Sequence, residues 1–381
     1  MATNSSIEWC DHTFNGWEGC TKVSPGCANC YAENRNSRFN GGSSVNWGKG
    51  APRRKTSDNN WKLPLRWNRE AEADLMKWEV FYNVKGPAHC PRPRRPRVFS
   101  ASLADWLDPE IPIEWLVDLL FLVQSTPSLD WLLLTKRPEL WYDRIADARL
   151  WVEEAHTRLA PLNRALSNWL GAWLDEWHGL RKVAQSGTPH NVWIGTSVED
   201  QIRADQRIPA LLKIPAKVRF LSCEPLLGEV DINHYLDNAP LDGGYFGRSL
   251  LDWVIVGGES GPNARPMHPD WARSLRDQCQ EAGVPFFFKQ WGEWAPWQKD
   301  DYVEEQWCVK PDGDLSWVSG DLSDGILNNW SKNYAAGDHV ITRVGKKAAG
   351  RLLDLREWNE LPMLTFAPSS EAKKINMEGG S

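Results

Sequence analysis

Six short, nearly continuous apolar runs recur along the chain, and polar or charged residues follow each of them. The runs are RVFSASLAD (97–105), DWLLLTKRP (130–138), NVWIGTSVED (191–200), VRFLSCEPL (218–226), DWVIVGGESG (252–261) and PFFFKQWG (285–292). Amphipathic segments separate them, as at 112–125 and 268–283, where apolar residues recur at helical spacing. Buried strands that alternate with helices are typical of a parallel sheet covered by helices.

The number of these units narrows the fold class. An extended stretch from Ser6 to the cysteines near position 20 adds one more unit, which makes about seven in all. We therefore predict an α/β fold built as a complete or partial (β/α) TIM-like barrel. No Gly-x-Gly-x-x-Gly motif follows the first strand, which argues against a dinucleotide-binding sheet.

The texture of the chain predicts three regions. The barrel should cover residues 1–292, with a cysteine-cluster loop at 19–31 and a helical insertion at about 146–190. A Trp-, Gly- and Asp-rich stretch with a PDGD turn then predicts a small β-containing α+β extension over 293–364, packed on the barrel. The tail, 365–381, should be disordered.

Composition predicts a cytoplasmic protein. Of 381 residues, 41% are hydrophobic and 25% are charged, which is typical of globular proteins. No apolar run reaches the roughly 20 residues that span a bilayer, so we expect no membrane association. The amino terminus also lacks the basic and then apolar pattern of a secretory signal.

Charge and aromatic content bear on partners. The net charge of −6 argues against attraction of phosphate by the whole surface. The basic segments at 51–55 and 91–97 could form a local basic groove, or they could be solvated loops. The 24 tryptophans are interpreted first as core anchors and second as a platform for stacking bases.

Three of the eight cysteines, Cys20, Cys27 and Cys30, lie in the segment GCTKVSPGCANCYAENR (19–35). In a reducing compartment, clustered cysteines bind metal or do redox chemistry more often than they form disulfides. Three thiolates can hold a 4Fe-4S cluster whose fourth iron stays open to a small ligand. A zinc site with His12 or Cys10 as fourth ligand, or thiols that only pack, are the alternatives, and the cluster is favoured.

The carboxyl ends of barrel strands are where active sites lie. Glu199, Glu224 and Glu259 follow three successive predicted strands and should face one mouth. The candidate catalytic residues are these three glutamates and Lys289. Each glutamate could instead cap a helix or pair with Lys136 or Lys289. The same rim carries Asp105, Lys136, Arg137, Ser260 and Gln290.

Several long strings give the chain a family resemblance. They are GCTKVSPGCANCYA, DWLLLTKRP, NVWIGTSVEDQ, RFLSCEPLLGEV, DWVIVGGESGPNARPMHPDW, PFFFKQWGEW and GKKAAGRLLDLREWNELP. From about Ile7 to Pro362 the chain resembles the phage Gp37/Gp68 family, also described as the three-Cys-motif family. That family is uncharacterised and has radical-SAM-like features.

The resemblance implies a partial barrel of radical SAM type. In radical SAM enzymes three cysteines hold a 4Fe-4S cluster, and S-adenosylmethionine binds the fourth iron. Reduction then cleaves S-adenosylmethionine to a 5′-deoxyadenosyl radical. By this resemblance Cys20, Cys27 and Cys30 are the cluster ligands. The usual spacing is Cys-x3-Cys-x2-Cys with an aromatic residue before the third cysteine, whereas here the first gap is six residues and Tyr31 follows Cys30.

The resemblance also suggests where S-adenosylmethionine would bind. Its ammonium group needs carboxylate acceptors, for which Glu199 and Glu224 are candidates, and its carboxylate needs a cation. The predicted cofactor-binding residues are Lys136, Arg137, Gly257, Gly258 and Ser260, the last three because the GGES stretch permits close backbone approach. Lys289 and Gln290 are candidate substrate contacts.

The function implied is a radical-SAM-like enzyme that modifies or repairs a nucleic acid or nucleotide, in the cytoplasm of the host cell if the protein is phage-encoded. Its expected partners are S-adenosylmethionine, an electron donor and a methyltransferase-like protein. One alternative is a non-catalytic barrel, stapled by an iron–sulfur cluster or zinc, that binds nucleic acid or protein. A metal-dependent hydrolase is a further alternative, but the eight histidines form no ligand motif.

Overall fold

The computed structural model of the protein describes residues 2–85, 92–154, 160–178, 187–236, 250–296, 306–317 and 337–362. The predicted tail at 365–381 lies outside the described residues, as do parts of the predicted insertion and extension.

The described residues form short strands and longer helices. The strands are β1 (Ala2–Thr3), β2 (His12–Thr13), β3 (Trp17–Glu18), β4 (Arg54–Lys55), β5 (Arg97–Ser100), β6 (Asp130–Thr135), β7 (Val192–Ser197), β8 (Val218–Cys223), β9 (Trp253–Gly257), β10 (Phe286–Gln290), β11 (Trp294–Pro296), β12 (Gln306–Val309), β13 (Leu315–Trp317) and β14 (His339–Arg343). The helices are α1 (Tyr31–Phe39), α2 (Asp58–Trp61), α3 (Leu63–Lys85), α4 (Ile113–Gln124), α5 (Trp141–Glu154), α6 (Ala160–Trp177), α7 (Gln201–Lys213), α8 (Asn233–Leu236), α9 (Pro269–Ala282) and α10 (Lys346–Ala349).

The main sheet is a curled half-barrel. Strands β2 and β5 to β10 pair in parallel in chain order, and β1 adds an antiparallel edge to β2. The far edge of β10 is bridged by the C-terminal segment, where Phe287 pairs with Asn359, so β10 does not close onto β2 in the described sheet. The partial barrel is confirmed, and each of the six predicted runs contains one of its strands.

The two faces of this sheet differ because successive side chains on a strand point to opposite sides. Leu133, Ile194 and Val254 belong to a buried cluster that includes residues of the flanking helices. Their neighbours Leu132, Trp193 and Trp253 belong to a second cluster, in which no described residue is helical. The second cluster is therefore the concave inner face, and its aromatic members lie near the amino ends of the strands.

The crossover from β6 to β7 is the predicted helical hairpin. A 3₁₀ turn at Pro138–Leu140 leads directly into α5, which begins before the predicted start near 146. Trp141 of α5 packs against two rings of α6, with ring centroids 5.0 Å from Trp173 and 5.2 Å from Trp177. The hairpin is thus held together by tryptophan packing.

The β element predicted after the last barrel strand is confirmed as a four-stranded antiparallel sheet in the order β11-β14-β12-β13. The PDGD segment makes the turn between β12 and β13, where Gly313 has a φ of +91° and Lys310 N donates to Asp314 O at 2.9 Å. Glycine suits this turn because it adopts a positive φ without steric cost.

Tryptophans supply much of the described core, as the composition predicted. The fully buried ones are Trp9, Trp17, Trp67, Trp106, Trp131, Trp141, Trp173 and Trp253. No helix in the described part of the chain is both long enough and apolar enough to cross a bilayer.

Candidate functional site

The cysteine loop, defined here as residues 20–30, lies at the carboxyl-end mouth of the half-barrel. Pro25 begins a 3₁₀ turn that ends at Cys27, and Cys30 immediately precedes α1. All three thiols are free and half-buried. The structure thus places the predicted turn and helix where the sequence indicated them.

The spacing of the three sulfurs differs from that of a zinc site. A tetrahedral zinc with bonds of about 2.3 Å holds its sulfurs roughly 3.8 Å apart. Among the described residues, the Sγ atoms of Cys20, Cys27 and Cys30 do not all lie within 4.8 Å of one another. The two proposed fourth ligands are engaged elsewhere, since Cys10 is buried in the inner-face cluster and His12 stacks on Trp67 at 4.2 Å.

A buried arginine contacts the first cysteine. Arg137 Nη1 lies 3.6 Å from Cys20 Sγ and 2.9 Å from Asp105 Oδ2, while Nη2 donates to Thr21 O at 2.7 Å. Burial and the Asp105 carboxylate raise the pKa of Cys20 to about 12, and Arg137 opposes that rise. Burial lowers the pKa of Arg137, but Asp105 and Cys20 outweigh burial, so the pKa is raised.

Two polar pairs line the inner face above the aromatic residues. Lys136 Nζ donates to Ser197 Oγ at 2.8 Å, and Lys289 forms an ion pair with Glu224. By strand alternation all four side chains follow Leu132, Trp193, Phe220 and Phe287 on the concave side. In the described part of the chain Lys136 has no carboxylate within ion-pair distance.

Glu199, predicted as catalytic, is engaged on both carboxylate oxygens. Its side chain is 1% exposed; Oε2 accepts from Arg207 Nη1 at 2.8 Å, and Oε1 accepts from Gly26 N at 3.2 Å. Burial raises the pKa of Glu199, but Arg207 and Lys136 outweigh it, so the pKa is lowered. Glu199 is therefore a carboxylate in contact with the cysteine loop.

Glu259 has a similar environment on the other side of the loop. Its oxygens accept from Arg265 Nη2 at 2.6 Å and Nε at 2.8 Å, and Asn29 Nδ2 donates to Oε2 at 2.9 Å. Burial raises the pKa of Glu259, but hydrogen bonds from Arg265 and Asn29 outweigh it, so the pKa is lowered. Of the three predicted glutamates, Glu224 alone lacks an arginine partner among the described residues.

The GGES stretch makes a close approach, and it does so to protein. A Cβ at Gly258 would lie 1.9 Å from Trp291 O, and Gly258 N donates to Gln290 O at 2.9 Å. A Cβ at Gly257 would meet Gln290 O and the Glu224 side chain at 3.5 Å. Ser260 Oγ accepts from Gln290 Nε2 at 2.9 Å. Gly258 is thus needed for packing against the segment after β10.

The first basic segment is neutralised within the fold. Arg53 is buried and donates to Asp108 Oδ2 at 2.9 Å, and Arg53 Nη2 donates to Thr21 Oγ1 at 2.8 Å. Arg54 pairs with Glu18, and Lys55 pairs with Asp118. These cations support the loop beside Cys20 and do not form an unpaired basic groove.

The second basic segment is also paired where the structure describes it. Arg94 forms a double hydrogen bond with Asp11, both at 2.6 Å, and Arg95 lies 3.5 Å from Asp130. Arg97 is buried and lies 3.7 Å from Asp11. The hypothesis of a local basic groove therefore loses its two segments.

The structure brings together a histidine–aspartate group that the sequence did not indicate. Ligand atoms of His268, Asp270 and His339 lie within 4.8 Å of one another. His268 Nδ1 accepts from Asp270 N at 3.1 Å and Nε2 lies 2.9 Å from Gly337 O, so both ring nitrogens are engaged. His339 Nε2 lies 3.1 Å from Asp270 Oδ2. The group links α9 to β14 by hydrogen bonds.

Comparison with known proteins supplies the family. The family model described as "Protein of unknown function (DUF5131)" matches residues 4–362. The chain belongs to this family. The match includes the half-barrel, the cysteine loop and the four-stranded sheet. A search of curated proteins and a search of solved structures each gave no match.

Proposed function

We propose that this DUF5131 protein is a radical-SAM-like iron–sulfur enzyme with a 4Fe-4S cluster held by Cys20, Cys27 and Cys30. The observation that carries the proposal is the set of three free thiols on one loop at the mouth of the half-barrel. Their spacing, wider than a zinc tetrahedron, supports a ligand larger than a single ion.

The surroundings of the thiols suit a cluster. Arg137 beside Cys20 and Lys136 near Cys30 supply positive charge for thiolate ligands. The raised pKa of Cys20 means that its proton must leave when a metal binds. When bound, the cluster would supply one electron to S-adenosylmethionine, and the electron must come from an external donor.

The contacts narrow the residues that would hold S-adenosylmethionine. Glu199 and Arg137 are committed to other partners, whereas Lys136 and Glu224 line the inner face beside the cysteines. In our proposal Lys136 binds the carboxylate of the ligand and Glu224 accepts from its ammonium group, which requires Glu224 to share its bond to Lys289. Gly257, Gly258 and Ser260 would contribute backbone to the same wall.

The substrate class proposed is a nucleotide or nucleic acid. The rings of Tyr31 and Phe39 are 56% and 70% exposed on the helix that follows the cysteine loop, and exposed rings can stack on bases. Lys289 and Gln290 would contact the reacting part of the substrate on the inner face. A methyltransferase-like protein would be a further partner.

One observation favours the alternative of a non-catalytic, metal-stapled barrel. Glu199 and Glu259, two of the three rim carboxylates, contact the cysteine loop and are neutralised by arginine. A structural site needs such support but needs no catalytic carboxylate. The two functions differ in whether S-adenosylmethionine is cleaved.

Anaerobic reconstitution with iron and sulfide tests the proposal. We expect about four irons per chain and a broad visible absorption band. Cys20→Ser, Cys27→Ser and Cys30→Ser should each lose most of the iron, and Cys10→Ala should retain it. Reduction in the presence of S-adenosylmethionine should then release 5′-deoxyadenosine. One tight zinc with no colour, or loss of metal in Cys10→Ala, would refute the ligand set.

A further inference from the structure

Two carboxylate–arginine pairs contact the middle of the cysteine loop from different strands of the half-barrel. Glu199 follows β7 and Glu259 follows β9, and their partners are Arg207 and Arg265. We propose that Glu199 and Glu259 are positioning residues that fix the cysteine loop, and are not catalytic residues. The role of the loop as ligand donor rests on the proposed function, whereas the positioning itself does not.

The Glu199 contact leaves little room for a substrate. Both oxygens are engaged, one by Gly26 N and the other by Arg207, whose Nη1 also donates to Ser197 O at 2.8 Å. A Cβ at Gly26 would lie 3.1 Å from the Glu199 carboxyl group, so the loop packs directly on it. This carboxylate is therefore an acceptor for the loop backbone one residue before Cys27.

The Glu259 contact fixes the loop at two further points. Asn29 Nδ2 donates both to Glu259 Oε2 and to Asn263 O, the latter at 2.7 Å. Arg265 Nη2 binds Glu259 and also donates to Pro25 O at 3.0 Å. The arginine thus serves the carboxylate and the loop together, and Cys27 lies between the two points of attachment.

Charge and entropy explain why such pairs suit this loop. A bare carboxylate near a thiol disfavours the thiolate, so each arginine removes a repulsion that a bound cluster would otherwise meet. Contacts formed before binding also reduce the ordering cost when a ligand arrives, because the loop is already fixed. Outer contacts of this kind hold metal ligands in place in many metal sites.

The test is the rate of thiol alkylation in the full-length, metal-free protein, followed by mass mapping of Cys27 and Cys30. We expect Glu199→Gln and Glu259→Gln to raise these rates about tenfold, since each weakens a charged hydrogen bond. Asp130→Asn is the matched control. It neutralises a buried carboxylate with an arginine partner at the opposite end of β6, and both rates should stay unchanged.

A double-mutant cycle separates positioning from general destabilisation. Asn29→Ala removes the loop side of the contact and leaves Glu259 with Arg265. If Glu259 acts through Asn29, the double variant Asn29→Ala/Glu259→Gln should alkylate no faster than the faster single variant. Additive effects, or rates that stay at the wild-type value in both glutamine variants, would overturn the proposal.

The same variants keep this inference distinct from the proposed function. After reconstitution, the glutamine variants should lose iron to a chelator about tenfold faster than the wild type, with kinetics that match their alkylation rates. If the wild type takes up no iron but the alkylation rates rise as expected, the positioning role stands and the iron–sulfur function fails. Unchanged alkylation with normal iron content and lost S-adenosylmethionine cleavage would instead make the glutamates catalytic.

Discussion

Arg137 and Asp105 form a buried ion pair, with Nη1 2.9 Å from Oδ2, directly beside Cys20. Asp105 also accepts from Thr135 Oγ1 at 2.7 Å and from Lys136 N at 2.9 Å. The carboxylate therefore joins the end of β6 to the guanidinium that holds the first cysteine. Asp105 was a rim residue without a role in the sequence, and its contacts make it the link between sheet and loop.

Removing the arginine should be costly. Arg137→Ala leaves Asp105 buried without its cation, which typically destabilises a protein by about 3–5 kcal/mol. Urea unfolding of the metal-free protein measures the change. The control is Arg149→Ala, whose pair with Glu153 is solvent-exposed on a helix, and it should cost about 0.5 kcal/mol or less. Equal effects in the two variants would show that burial of the Arg137 pair is not important.

The inner face should tolerate no added methyl group at Gly195. A Cβ there would lie 2.3 Å from the Phe220 ring, which is itself fully buried. We expect Gly195→Ala to destabilise the fold by about 1–3 kcal/mol through overpacking. Gly228→Ala, whose Cβ would meet only Asp200 Cβ at 3.6 Å, is the control and should change the unfolding free energy little. A stable Gly195→Ala variant would argue against this packing.

Asp130 should make stability depend on pH in a defined direction. Burial raises the pKa of Asp130 from 3.8 to about 6, and Arg95 opposes the rise. Between these values the unfolded chain loses its proton first, so the native state loses stability as pH rises. Relative to wild type, Asp130→Asn should therefore gain up to about 3 kcal/mol between pH 4 and pH 7. Denaturant unfolding at both pH values tests this, and a difference independent of pH would contradict it.

His268 should contribute to stability as a helix cap. Its Nδ1 accepts from Asp270 N at the start of α9, and its other nitrogen is bonded to Gly337 O. His268→Ala should cost about 1–3 kcal/mol from the lost cap and the unpaired carbonyl. His268→Asn can still cap the helix and should recover about half of that loss in thermal or urea unfolding. No recovery in the asparagine variant would mean that capping is not the reason.

Much of the fold could be predicted because its signals are local. The runs that became β6 and β9 are continuous and apolar, since a parallel strand is buried on both faces. The helix α9 shows its buried stripe in the spacing of Trp271, Leu275 and Cys279. The β12–β13 turn needs a glycine at a positive φ, which the PDGD segment supplies. The cysteine spacing likewise predicted the candidate site.

The tertiary structure decided which charged groups are available at that site. Glu199 meets Gly26 across 173 residues and Asn29 meets Glu259 across 230, and no sequence pattern records such partners. The same holds for the ion pairs of the basic segments and for the approach of His339 to Asp270. A strand or helix follows from neighbouring residues, whereas an ion pair depends on which side chains the completed fold brings within a few ångströms.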